Sequence, residues 1–298
     1  MRSPRAGKLL TVDQAAALVQ EGDYLAIGGI WNHNVPMALV RALVRRGVGN
    51  LTLSSSPASG VGPDHLFAAG LVRKAYLPNV TFEHLGTAPH VRRAIEDERV
   101  TLVECDEASL IGGYRAAAAG LPFQPVVSLQ GTALADGADW LIPVGRDGTV
   151  EALAAPPLSP DVAFLHAHEA DQFGNVRHLA STFADRLIAK ASRTVVVSVD
   201  RLVEHDDIRS APARVTVPSY MVSHVVVSPF AAHPAATHGA YLADEDHLRT
   251  YLDAAKDHDA VGDGWRQYVS RYIDGGEREY LSAVGGLDQL ASRLGVQP

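Results

Sequence analysis

The chain has 298 residues, enough to bury a large core as one α/β domain or a main domain with a small companion. Hydrophobic residues make up 47% and charged residues 20%, a balance far from that of a disordered chain. The formal net charge of −8 argues against a nucleic-acid binder, which needs Lys and Arg to neutralise phosphates, but leaves room for an anionic ligand held by a local basic edge or a helix N-terminus.

Residues 11–20 read as a helix, with Thr11 and Asp13 as capping candidates and Ala15, Ala16, Leu18 and Val19 as its apolar stripe. Tyr24 to Ile27 is a short strand running into Gly28-Gly29. A helix starts near Pro36, with Leu39, Val40 and Leu43 facing the core and Arg41, Arg45 and Arg46 turned outward. Leu51 to Leu53 is the next strand, and it ends in the small-residue loop from Ser54 to Gly60. Val100 to Val103 reads as a strand, and the alanines 116–119 sit in a helix closed by Gly120 and Leu121-Pro122. After Thr132 a stretch rich in Gly, Asp and Pro runs to Pro160 and predicts a small excursion. The main pattern resumes with apolar strands at Val162 to Leu165, Thr194 to Val199 and His224 to Val227. From Asp244 onward it is helical, with Gly285-Gly286 parting the last two helices. This alternation predicts an α/β fold: an open, largely parallel sheet with helices on both faces, as one domain over 1–298 with the excursion around 132–160. One cysteine, Cys105, precludes an internal disulfide and suits a reducing cytoplasm. No apolar run reaches 18 residues and no signal-peptide core stands at the N-terminus, so neither a membrane span nor export is expected.

Chemistry-bearing residues fall in three places. Gly28-Gly29 lies between a strand and a helix, where a backbone can approach a ligand closely. The residues that follow, Ile30, Trp31, Asn32 and His33, break the G-x-G-x-x-G fingerprint and make a Rossmann dinucleotide site a poor reading. The acidic run Glu104-Cys105-Asp106-Glu107 follows a strand and offers a general base or a nucleophile; equally, Asp106 caps a helix with Glu107 in its first turn. Arg115 downstream can pair with a substrate carboxylate, hold these acids in place, or form a structural salt bridge. Cys105, flanked by two acids, reads as an ordinary buried thiol rather than a nucleophile. His166 and His168 face one way on a strand, with no companion ligand to build a metal site, and read as satisfied histidines beside the Asp171 turn. Other histidines, such as His84, His90, His247 and His258, look scattered in polar segments, while Trp265 and Tyr280 read as packing aromatics.

The turn Ala170-Asp171, Gly174-Asn175 resembles the Ala-Asp-x-x-Gly-Asn signature of the alpha chains of type I coenzyme A transferases. Three further segments match in order: Gly28-Gly29 with Pro36, the stretch Asp106 to Pro125 with Gly120-Leu-Pro-Phe123, and Ser228-Pro229 through His233-Pro234 to Gly239-Ala-Tyr241. Ala231 stands where a glycine is frequent. The likeness runs from about Gly7 to Leu290 and is nearest the glutaconate CoA-transferase subgroup.

That resemblance implies a homologous beta subunit in an αβ or (αβ)2 assembly, with acyl-CoA and a carboxylic acid as substrates. Coenzyme A is then a substrate, and no permanently bound cofactor or metal is implied. The nucleophilic glutamate would stand on the beta chain, since no Glu-x-Gly-type segment occurs here. This chain would shape the acyl pocket with Gly28, Gly29, Ile30, Trp31, Asn32, Ser56 and Arg115. A related branch, the steroid ring-cleaving acyl-CoA hydrolases, has an Asp-Glu pair at the place of Asp106-Glu107, which would make Glu107 the base that activates water. Were the site built from this chain alone, Glu104 and Glu107 would be the nucleophile candidates. A third expectation is an acyl-CoA-binding chain without chemistry.

Overall fold

The computed structural model describes residues 7–147, 149–256 and 263–295. Its main sheet runs, from one edge to the other, Leu9–Leu10, His224–Val227, Thr194–Leu202, Val162–Ala170, Tyr24–Ile27, Leu51–Ser55, Val72–Tyr76 and Thr101–Leu102. Each of these neighbours pairs in parallel; a short strand, Val176–Arg177, adds antiparallel to Val162–Ala170. The expected open, largely parallel α/β sheet is therefore present.

Period-2 alternation sorts each strand between two cores. Leu25, Ile27, Val162 and Phe164 face one layer, covered by the helices Met37–Arg46, Val61–Ala68 and Pro89–Glu96 and by the C-terminal helices. Ala26, Ala163, Leu165 and Ala167 face the other, covered by Glu107–Ala119 and Asp185–Ala191. Burial on both faces explains why Thr194 to Val199 reads as an unbroken apolar run.

The first helix is shorter than its sequence pattern, Val12–Ala16. Thr11 rather than Asp13 caps it, in a reciprocal capping box with Gln14. The outward placement of Arg41 is corrected. It is 1% exposed, its Nε and NH2 donate to Glu277 at 2.8 and 2.6 Å, its NH1 donates to the His233 carbonyl at 2.6 Å, and its guanidinium lies 3.5 Å from the Tyr280 ring centroid. The reason is tertiary: every residue from 37 to 44 is buried, and Glu277 and Tyr280 of the C-terminal helix Glu277–Ala283 meet the Arg41 guanidinium.

The excursion is a three-stranded sheet, ordered Gln124–Val126, Thr149–Ala155, Ile142–Arg146, with the helix Ala133–Gly137. It opens at Gln124, earlier than Thr132, because Pro125 sits on an edge strand, where a missing N–H is tolerated. Leu129, Ala138, Leu141, Leu153 and Ala155 form its own small core. It packs on Glu107–Ala119 through Gly112 and Gly113, whose missing side chains leave room for Val126, Ala155 and Leu158.

Candidate functional site

Sheet order locates the site. From Tyr24–Ile27 the strands build outward one way, while the second half of the chain starts at Val162–Ala170 on the other side of Tyr24–Ile27 and builds away from it. Connections reverse between these two strands, so a crevice opens at their C-terminal ends, the usual ligand position in an open α/β sheet. The two strands pair only as far as Phe164, whose carbonyl takes the Gly28 N–H at 2.9 Å. Beyond that point the Gly28-Gly29 turn peels away.

The glycines are required by protein groups. A Cβ on Gly28 would collide with the Asp185 carboxylate and Leu165. Gly29 has φ +83°, and its N–H donates to Asp185 Oδ1 at 2.8 Å. The other Asp185 oxygen lies 3.3 Å from His178 Nε2, and His178 Nδ1 meets Thr216 Oγ1 at 2.7 Å. Ile30 N–H goes to the His33 carbonyl and Trp31 N–H to the Ala58 carbonyl. With these amides committed inside the chain, side chains face the crevice. Trp31 is 36% exposed, whereas Asn32 is buried, accepting the Val61 N–H and donating to Glu83 Oε2 at 3.3 Å. Ser56 is buried, and its hydroxyl has no hydrogen-bond partner among the described residues, an orphan that a ligand can satisfy. The structure thus gathers Gly28, Gly29, Ile30, Trp31, Asn32 and Ser56 at one place.

Glu104, Glu107 and Arg115 lie on and before the helix Glu107–Ala119, in the same layer as Asp185–Ala191, and none of the three bonds to the Gly28–Asn32 turn. Asp106 caps it in a capping box with Ser109, at 2.8 Å to the Ser109 N–H and 3.1 Å from the returning hydroxyl. That structural role leaves the neighbouring acids free. Glu104 and Glu107 are exposed; the Glu104 carbonyl accepts the Trp140 indole N–H at 2.9 Å. Arg115 is exposed and about 12 Å further along the helix axis than Glu107, so the idea that it holds these acids in place is corrected. Burial, with Asp106 and Glu104 adding to it, pushes the Cys105 thiol up to about 12, as an inert thiol requires. Tyr114 ties this helix to the crevice, its hydroxyl donating to Ser54 Oγ at 2.7 Å.

On the strand that leads into the Asp171 turn, His166 is satisfied as expected, whereas the buried Nδ1 of His168 has no hydrogen-bond partner among the described residues. His166 meets Ser198 Oγ at 3.1 Å and Thr237 Oγ1 at 2.8 Å, and Asp200 Oδ2 lies 3.4 Å from its Nε2 and 3.7 Å from His168 Nδ1. Burial works against the Asp200 carboxylate, yet the two imidazoles pull it down to about 2. Asp171 closes its own turn, accepting the Phe173 and Asn175 N–H groups and the Asn175 side chain. The Asp-x-x-Gly-Asn signature is therefore a backbone device. Among the described residues no three His, Cys, Asp or Glu groups gather as a metal site, and no helix is long and apolar enough to cross a membrane.

His90 and His247 are buried within an aromatic cluster, contrary to their polar sequence surroundings; His258 lies outside the described residues. Sequence reasoning also missed His33, Asn34, Glu83, Asp185 and His238. A readable signal existed for one of them: Asn34 has φ +53°, a conformation asparagine tolerates better than most residues.

The Coenzyme A transferase family matches residues 9–228. An uncharacterized protein of Archaeoglobus fulgidus is 32% identical over 291 residues, 96% of this chain, and the chain spans 64% of that protein's length. The cholesterol ring-cleaving hydrolase IpdA subunit of Rhodococcus jostii is 32% identical over 290 residues, covering 93% of this chain and 95% of its own. The crystal structure of glutaconate coenzyme A-transferase from Acidaminococcus fermentans superposes with a TM-score of 0.89 at 26% identity, over 98% of both chains. In sequence, a glutaconate CoA-transferase chain of the same organism is 29% identical over 300 residues, covering 93% of this chain and 92% of its own.

Proposed function

This chain belongs to the coenzyme A transferase family, among alpha subunits that include the IpdA branch, and from that premise we propose that it is the acyl-shaping half of a two-chain enzyme that moves CoA from an acyl-CoA to a carboxylic acid. The observation that carries this reading is the switch-point crevice. It presents a binding surface, with the orphan Ser56 hydroxyl, the Trp31 indole and the His33 imidazole, rather than an activated nucleophile. A glutamate of a beta-type partner would close the crevice from above and attack the thioester carbonyl. CoA thiolate would leave as the acyl-glutamyl anhydride forms, then attack the glutamyl carbonyl, expelling the donor acid as its carboxylate and leaving a glutamyl thioester from which the acceptor acid takes CoA by the same two steps in reverse. Coenzyme A is a substrate in this scheme, and Gly28, Gly29, Ile30, Trp31 and Asn32 set the floor on which the acyl group lies.

One observation favours a second reading, hydrolysis. Glu107 is exposed in the first turn of its helix and makes no hydrogen bond or ion pair with the described residues, so its carboxylate is free to take a proton from water. The test is product analysis of candidate acyl-CoAs turned over by the chain co-purified with its beta partner, with and without an acceptor acid. Appearance of the acceptor's CoA ester with release of the donor acid supports transfer; a ring-opened product one water heavier, its thioester intact and formed without the acid, supports carbon–carbon bond hydrolysis. In the hydrolytic case Glu107→Gln should fold normally and lose at least about 100-fold in kcat. Full activity in that variant would remove Glu107 from the reaction. No turnover of any acyl-CoA, with binding retained, would reduce the chain to a binding role.

A further inference from the structure

On the side of the sheet opposite Glu107, a cavity of about 390 Å³ is lined in part by His33, Ala236, His238, Ala240, Tyr241 and Ala243. Strained loops stand behind its lining. Trp31, Asn34, Glu83 and Phe183 have φ of 46°, 53°, 58° and 45°, a region costly for such side chains, and they come from three separate loops joined to His33 and His238. Two asparagines lock the loops together. Asn32 bridges Val61 and Glu83, and Asn34 donates to the Ser181 carbonyl at 3.3 Å while accepting the His238 N–H at 2.8 Å. Asn32 and Asn34 are buried; His33, between them, is half-exposed. Its Nε2 lies 3.8 Å from Glu83 Oε2, and its ring centroid lies 6.0 Å from that of His238, which stacks on Phe183 at 5.8 Å. Burial holds the His33 pKa below its ordinary value, with His238 adding to this and Glu83 opposing it, so the imidazole is neutral at pH 7 and can both donate and accept. No Lys or Arg is among the described residues lining the cavity.

We propose that this cavity receives the far end of the acyl group, and that His33 and Glu83 select an uncharged, oxygen-bearing acyl chain, with a hydroxyl or keto group, over one ending in a carboxylate. The proposal rests on the acyl-CoA reading above and names the substrate class for it. A keto or hydroxyl oxygen satisfies the imidazole. A plain alkyl chain leaves that polar group without a partner, which a site built for hydrogen bonding penalises. A second carboxylate against His33 comes close to the Glu83 charge, 3.8 Å behind the imidazole, with no Lys or Arg among the described lining residues to compensate.

The test uses the complex with its beta partner and four CoA esters of matched length: hydroxyacyl, oxoacyl, alkyl and ω-carboxyacyl. The hydroxyacyl or oxoacyl ester should exceed the ω-carboxyacyl ester by at least about tenfold in kcat/KM. His33→Leu should collapse the ratio of oxygenated to alkyl ester by about tenfold or more. Glu83→Gln, which keeps shape and removes charge, should raise the ratio of ω-carboxyacyl to alkyl ester by about tenfold. A wild-type preference for the ω-carboxyacyl ester, or variants that slow all four esters by one factor, would overturn the assignment. A wild-type complex inert toward every ester would sink the acyl-CoA reading itself, and this proposal with it.

Discussion

At the scale of single residues, the side chains that fix this molecule are polar ones placed where apolar ones were expected. Arg41 is the clearest. It sits in a helix whose pattern assigns it to solvent, yet it joins Glu277, the His233 carbonyl and the Tyr280 ring in one buried junction. Side chains of Arg41 and Glu277 are 2% and 13% exposed, so removing one charge strands the other in a low-dielectric setting. Arg41→Met should therefore destabilise the fold by about 3 kcal/mol or more, read as a lower urea midpoint at unchanged slope. Arg41→Met with Glu277→Leu should recover a large part of that loss, because no uncompensated charge remains. A double variant as unstable as the sum of the two singles would show that the pair is not coupled. Gly28 makes the complementary point: the chain needs no side chain there because Asp185 occupies the space, a requirement that a Gly-Gly dipeptide in sequence cannot distinguish from a ligand loop.

At the scale of elements, the C-terminal helices are fastened to the sheet layer through neutral histidines and buried acids. Burial takes His65 and His247 down to about 3 and His90 down to about 4, while it lifts Asp64 to about 6 against its bonds from Tyr251 and from the N–H groups of Val91 and His90. The signs oppose each other. Each imidazole binds a proton in the unfolded chain near pH 6.5 that the folded chain refuses until pH 3–4, so its contribution to stability is full above 6.5 and is lost as pH falls. Asp64 does the reverse between its ordinary range and about 6, holding a proton in the fold that the unfolded chain releases. Near pH 5 the three imidazoles outweigh the one carboxyl, giving a net uptake of about two protons on unfolding. The urea midpoint should fall steadily from pH 7 to pH 5; a flat or rising profile would contradict the burial of these groups. These helices also show what the sequence could yield. Periodicity located the strands at Tyr24, Leu51, Val162, Thr194 and His224, because burial on both faces writes itself into apolar runs. It could not place His90 or His247, since their partners, such as Tyr268 and Trp265, lie on elements distant in sequence.

At the scale of the whole molecule, the site follows from strand order, which no local pattern states. Gly28-Gly29 and Ser56 were legible because small residues after strands mark turns, but the switch point beside them exists only because Val162–Ala170 inserts next to Tyr24–Ile27. His33, Glu83 and His238 were invisible for the same reason: residues 33, 83 and 238 meet only through the folded loops. Those loops line the C-terminal ends of the strands, and the proposed acyl exchange needs a second wall that excludes water from its anhydride stage. A beta-type partner should therefore seat over this edge rather than over the opposite edge, where the strands begin. Amide hydrogen exchange of the chain alone and in the complex tests this. Segments 28–34, 81–87 and 178–184 should be slowed by the partner, whereas the turns that lead into the starts of the strands, at 21–23 and 192–194, should exchange as before. Protection confined to the strand-start turns would place the partner on the wrong edge, and the crevice would then have to complete its chemistry with the groups of this chain alone.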